Sequence, residues 1–154
     1  MSDDYLFAWR HVWDACRTSR FYAYTKEVDR IERLVAPDPP PNFAWVYSYG
    51  GTQDTSLDPA RHRVADVFPT VEALHAADHH DQAASDLLAV DGPSPVGMTA
   101  NKIPKVLALL GHRTFRSWQE QADAQRAALQ QRRQRRFTVS PPPTHSGTSA
   151  RKPD

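Results

Sequence analysis

Phe43-Ala44-Trp45-Val46-Tyr47-Ser48-Tyr49-Gly50-Gly51 is the stretch on which the fold of this chain turns. Aromatic and β-branched residues fill 43–49 and two glycines end the run, which reads as a β-strand with a turn at its carboxyl end. Upstream, Phe21-Tyr22-Ala23-Tyr24-Thr25 is a second short, aromatic, β-prone segment. Between the two, Glu27 to Val35 sets Val28, Ile31 and Leu34/Val35 at helical spacing. Pro37-Asp38-Pro39-Pro40-Pro41 then forms a stiff surface connector from that helix into the strand. Strand, helix and strand in this order make a parallel βαβ unit with a right-handed crossover.

The same alternation extends in both directions. Ser2 caps a helix from Asp3 to about Thr18, with Asp3 and Asp4 at its positive end and Arg17 and Arg20 beyond the other. Tyr5, Trp9, Val12, Trp13 and Cys16 make its apolar stripe, so Cys16 reads as a small buried hydrophobe. On the carboxyl side, Val64 to Phe68 reads as a strand and Thr70 to Ala77 as a short helix. Leu87-Leu88-Ala89-Val90 and Val96-Gly97-Met98 read as short strands on either side of an Asp91-Gly92-Pro93 turn. Pro104 to Leu110 makes a helical turn or two. Thr114 to about Arg135 makes a long helix that faces inward through Phe115, Trp118 and Ala122 and projects into solvent beyond them.

The expected fold is therefore α/β: mostly parallel short strands alternating with helices, in an incomplete barrel-like or open sheet, with a long C-terminal helix and a disordered tail. Residues 1–136 form a single α/β domain. Residues 137–154, rich in Pro, Ser and Thr, have almost nothing to bury and read as disordered.

Composition narrows the function classes only a little. The chain has 154 residues, 40% apolar and 24% charged, as an ordinary soluble domain has. No apolar run approaches the ~18 residues of a membrane span. Met1-Ser2-Asp3-Asp4 carries acid where a signal peptide carries Lys or Arg, so a cytoplasmic location is expected and no membrane partner. One cysteine excludes an internal disulfide and cannot alone hold zinc or an iron–sulfur cluster; no cofactor is assigned. Residues 1–112 carry 10 Lys+Arg against 15 Asp+Glu, and residues 113–154 carry 9 against 3. Much of the basic excess is Arg132, Arg133, Arg135 and Arg136. These can contact nucleic-acid phosphates, or simply end a solvated helix where cations suit the dipole. The acidic residues 1–112 oppose the first of these.

In parallel α/β folds ligands bind where the strands end at their carboxyl side. The first strand ends at Lys26, which suits a phosphate or carboxylate, or a base if partly desolvated; alternatively it is a surface lysine opening the next helix. The second ends in Ser48-Tyr49-Gly50-Gly51-Thr52-Gln53-Asp54. Its two glycines let backbone N–H groups approach a ligand, with Asp54 adding polar reach, or they serve a turn of positive φ. No Lys-Ser/Thr follows the glycines, so this is not a P-loop. Asn101-Lys102 adds to the same rim or caps a helix. Asp78-His79-His80-Asp81 lacks the i, i+4 histidines of a zincin and reads as an exposed loop; no metal site is assigned. No Ser/His/Asp triad can be assembled, and catalysis is left open.

Several strings together resemble one family. Ser2-Asp3-Asp4-Tyr5-Leu6 with Trp9, Phe21 to Lys26, and Trp45 to Gly51 look like the gene product 88 family of actinobacterial phages and related bacterial chromosomes. So do Ala65-Asp66-Val67-Phe68-Pro69 and Ser85-Asp86-Leu87-Leu88-Ala89-Val90 with Val96-Gly97, and the likeness covers about residues 2–122. The resemblance implies an α/β, barrel-like protein with no established activity. It places Lys26, Tyr49, Gly50, Gly51 and Asp54 at motif positions bordering the family's site. It also implies members with a longer N-terminus bearing a cysteine segment. This chain is then expected to be the C-terminal part of such a member, from a late start, a split gene or gene decay.

Three functional expectations follow. The first is an α/β protein of phage type with a small-molecule or phosphate site at the strand ends. The second is a nucleic-acid accessory protein using the basic end of the long helix. The third is a partner-binding module in which Tyr5, Trp9 and Trp13 form an exposed patch. A strand missing ahead of the first helix leaves an unpaired sheet edge, so self-association or docking with a separately encoded N-terminal half is expected.

Overall fold

The computed structural model of the chain describes residues 2–100 and 103–138. Its elements are α1 (Asp3–Ala15), β1 (Phe21–Thr25), α2 (Val28–Leu34), β2 (Phe43–Ser48), a 3-10 turn at Asp54–Ser56 and β3 (Val64–Phe68). There follow α3 (Val71–Ala76), β4 (His80–Asp81), α4 (Leu88–Asp91), β5 (Val96–Thr99), α5 (Pro104–Leu110) and α6 (Phe115–Thr138). The five strands form one open, all-parallel sheet in the order β1-β2-β3-β5-β4. The protein is α/β, as the alternation requires.

Crossover handedness explains which helix lies where. The chain steps from β1 to β2, and from β3 out to β4, through α2 and α3 on one face. It then steps back from β4 to β5 through α4 on the other, because a reversed right-handed crossover changes face. On the first face Val28, Ile31 and Val35 of α2 pack against Tyr47, Tyr49 and Val64. Leu74 of α3 sits where Gly97 of β5 has no side chain; a Cβ there would overlap it. On the second face Ala89 of α4 packs against Val46, Ala65 and Val96. Tyr24 of β1 reaches across this face, its hydroxyl donating to Gln82 Oε1 at 2.6 Å.

Helix α1 begins where Ser2 Oγ accepts from the Tyr5 N–H at 3.2 Å. It joins the first face through Leu6 and Trp13, with the Trp13 ring stacked on Phe43 at 4.2 Å between centroids. Trp9 meets the edge of Phe21 at 6.3 Å. Trp9 and Trp13 are therefore core-facing, and of the expected aromatic patch Tyr5 alone is exposed. The Asn42 amide closes the end of α1 by donating to the carbonyls of Trp13, Cys16 and Ser19 at 3.0, 3.1 and 3.1 Å. Cys16 is the helix cap and is exposed, not buried: the helix stops one residue short of carrying it onto the core face.

Two segments differ from their sequence reading. Leu88–Asp91 is a short helix rather than a strand. A four-residue apolar run fits either a buried strand or a buried helical turn. Here the Arg63 guanidinium decides the matter by donating to the carbonyls of Leu88, Ala89 and Gly92. His80–Asp81, read as loop, pairs with β5 as the outer strand β4, the His80 N–H donating to Pro95 O at 2.9 Å. Helix α6 runs to Thr138, past the expected end near Arg135. The expected roles of Asn101-Lys102 and of 139–154 as a disordered tail lie outside the described residues. Residues 1–121 form one compact unit and a second begins at Ala122. No helix among the described residues is long and apolar enough to cross a membrane.

Candidate functional site

Parallel register brings the ends of β1 and β2 level. Thr25 pairs with Tyr47, so Lys26 falls beside Ser48 and Tyr49. The Lys26 ammonium donates to Tyr49 O, to Ser48 O at 3.4 Å and to Ser48 Oγ at 3.3 Å. It also lies 4.9 Å from the centroid of the Phe115 ring, at the start of α6. The backbone turns at Gly50, where φ is +90°, and the N–H groups of Gly50 and Gly51 converge on one carboxylate. Asp54 Oδ2 accepts from Gly50 at 2.7 Å and Oδ1 from Gly51 at 2.9 Å. A Cβ on Gly51 would stand 3.0 Å from Lys26 Cβ. Lys26, Tyr49, Gly50, Gly51 and Asp54, singled out along the sequence, thus share one rim.

The rim holds a second carboxylate that the sequence reading passed over. Asp66 of β3 is only 4% exposed. It accepts from the Val67 N–H at 2.7 Å and the Arg116 N–H at 3.2 Å, with the Thr114 hydroxyl as a further partner. It therefore sits at the positive end of α6, where a carboxylate is favoured. Arg116 lays its guanidinium 4.5 Å over the Tyr49 ring and pairs with Glu120 at 3.1 Å. The signal for Asp66 was available: a lone acid inside the apolar run Val64-Ala65-Asp66-Val67-Phe68 is the kind of buried polar group that needs partners. No such signal existed for Thr114, Phe115 and Arg116, which lie some ninety positions from Lys26.

Burial sets the protonation balance of the rim. It pushes the Lys26 pKa down from the usual lysine range, opposed by the nearby charges of Asp54 and Asp66. It pushes the Asp66 carboxyl up, opposed by the hydrogen bonds from Val67, Arg116 and Thr114. Burial likewise raises the Tyr49 phenol. The rim thus offers a half-buried ammonium, two converging amides already satisfied by a tethered carboxylate, and a buried acid behind them.

The family model for gene product 88 matches residues 1–139 of this chain. The chain belongs to the gene product 88 family. The whole rim, from Lys26 to Arg116, lies inside that match. No curated protein and no solved structure matches the chain.

Other residues of this family member were candidates, or become so in the structure. Arg132, Arg133 and Arg135 are exposed on the last turns of α6, and Arg136 continues the helix. Among the described residues no group of three His, Cys, Asp or Glu side chains could hold a metal ion. At the opposite end of the sheet, the Tyr47 hydroxyl donates to Glu32 Oε1 and His62 Nε2 stands 3.9 Å from the same oxygen. These three side chains border a cavity of about 460 Å³. His62 Nδ1 accepts from the Asp58 N–H at 3.0 Å, which assigns the ring proton to Nε2.

Proposed function

We propose that this gene product 88 family member binds a small oxyanion, a phosphate- or carboxylate-bearing molecule, at the carboxyl ends of β1, β2 and β3. One observation carries the reading. The adjacent amides of Gly50 and Gly51 chelate a carboxylate at 2.7 and 2.9 Å beside the half-buried ammonium of Lys26. Two consecutive N–H groups aimed at one anion form a nest, and the Asp54 carboxylate is the chain's own occupant of it. A ligand oxyanion takes that place by displacing Asp54 into solvent, with its charge meeting Lys26.

The exchange has a cost that sets its chemistry. Asp54 is tethered four residues from Gly50, so a free anion competes against a high local concentration of carboxylate. Asp66 adds a second negative charge nearby. A bare anion therefore binds weakly, and a physiological ligand brings further contacts, of which the Arg116 guanidinium over Tyr49 is the nearest cationic one.

The test is phosphate and pyrophosphate titration followed by calorimetry, on the native chain and on Asp54→Ala, Asp54→Asn and Lys26→Met. Freeing the nest should tighten binding at least about tenfold in both Asp54 variants, the scale of one charge-assisted hydrogen bond. Lys26→Met should lose that gain when combined with Asp54→Ala. Asp54 variants that keep the native circular dichroism but bind neither anion better than the native chain would end the proposal.

A further inference from the structure

We propose that two copies of this chain join edge to edge through β1 and α1, about a twofold axis that passes beside Ala23. The inference is separate from the oxyanion reading and starts from the margin of the sheet.

β1 and β4 are the two outer strands. β4 has two residues and offers little template. β1 has five, Phe21-Tyr22-Ala23-Tyr24-Thr25, with no proline, charge or bulge to discourage pairing. The Phe21 N–H points inward, donating to Asn42 O at 2.7 Å. By alternation the N–H and C=O groups of Tyr22 and Tyr24 point outward from the sheet. Both tyrosines are exposed, at 38% and 36%.

Helix α1 lies over the same margin with an apolar flank. Its other flank is committed to the α2 side, where Asp3 receives Arg30 and Arg33 at 2.9 Å each and Arg10 reaches Asp38 at 3.0 Å. Tyr5, Val12 and Cys16 recur at i, i+7 and i+11 on the flank away from α2, and all three are exposed. Between this flank and β1 runs an aromatic groove of about 280 Å³, bordered by Trp9, Phe21 and Tyr22.

Three features select a second copy as the occupant. The strand reads nearly the same in both directions about Ala23, so an antiparallel β1 pair sets Tyr22 of one copy opposite Tyr24 of the other. Each such pair can exchange both of its backbone hydrogen bonds. The same axis runs the two α1 helices antiparallel, which sets Trp9 against Val12 of the other copy and Tyr5 against Cys16. It also sets Asp4 at one end of α1 beside Arg17 just past the other end of its mate. Both are exposed, and Arg17 is held within its own chain only by a 4.0 Å pair with Asp14 and a bond from its Nε to Asp14 O. The seam is thus complementary in hydrogen bonding, apolar surface and charge at once.

Sedimentation equilibrium on the full chain across a dilution series tests this. The native chain should show a monomer–dimer equilibrium. Tyr22→Pro removes an outward N–H without touching the β1–β2 ladder and should leave a folded monomer by circular dichroism. Should that variant fail to fold, the charge swaps decide alone. Asp4→Arg or Arg17→Asp should each weaken the dimer roughly tenfold by turning two exposed attractions into repulsions, and the double swap should restore it. A native chain that stays monomeric at every concentration overturns the proposal. So does a dimer indifferent to Tyr22→Pro, swaps that fail to rescue each other, or a partner of different sequence that alone occupies the edge.

Discussion

Gly50→Ala is the substitution that probes the rim most directly, because two separate costs meet at one atom. The residue sits at φ +90°, where an L side chain is strained by about 1–2 kcal/mol. The added Cβ would also overlap the Phe115 ring and stand 3.2 Å from Lys26 Nζ. Moving a half-buried ring off the ammonium adds an overpacking cost of about 1–3 kcal/mol. The sum predicts a loss of roughly 2–5 kcal/mol. Urea unfolding followed by tryptophan fluorescence measures it, and a double-mutant cycle separates the two parts. In a Phe115→Ala background the same Gly50→Ala change should cost only the conformational part, about 1–2 kcal/mol. A coupling near zero, with Gly50→Ala equally costly in both backgrounds, would mean that Phe115 does not lie over the turn. The start of α6 would then have no part in the rim.

Lys26 and Asn42 give two further expectations. The folded chain holds the Lys26 pKa below the ordinary 10.5, so in the window between those values the unfolded chain binds more protons, and stability rises with pH. The difference in urea stability between the native chain and Lys26→Met, followed across that window, should show this slope; a difference independent of pH contradicts the burial of the ammonium. Asn42→Ala removes one amide that serves three carbonyls at the end of α1 and should cost about 1–3 kcal/mol, with the amide protons of α1 exchanging faster than those of β3.

The two carboxyl-end clusters show how far local chemistry carries. Lys26 and the Gly50-Gly51-Asp54 turn were legible because each follows a recognisable strand, and adjacent parallel strands place their ends side by side. That Asp54 fills the diglycine amides was not legible, since a carboxylate four residues on can as well face solvent. The Glu32–Tyr47–His62 group was missed for a related reason: its members come from α2, β2 and the loop before β3, and no spacing links them. Leu87-Leu88-Ala89-Val90 was misread as a strand because its apolar run lacks a period, and only Arg63, more than twenty positions away, supplies the partners that make it helical.

The amino-acid order alone determined the class of this protein and the family to which it belongs. Periodicity two in Phe21–Thr25 and Phe43–Ser48, periodicity near 3.6 in α1 and α2, and the glycine and proline breaks are local steric and hydrophobic facts that need no tertiary context. Tertiary structure decided what those elements enclose: which face each helix covers, that Asp66 is buried at the head of α6, and that β1 rather than β4 is the long open margin. Contacts of that kind depend on crossover handedness and on side chains distant in sequence, so they exist only once the sheet has closed around them.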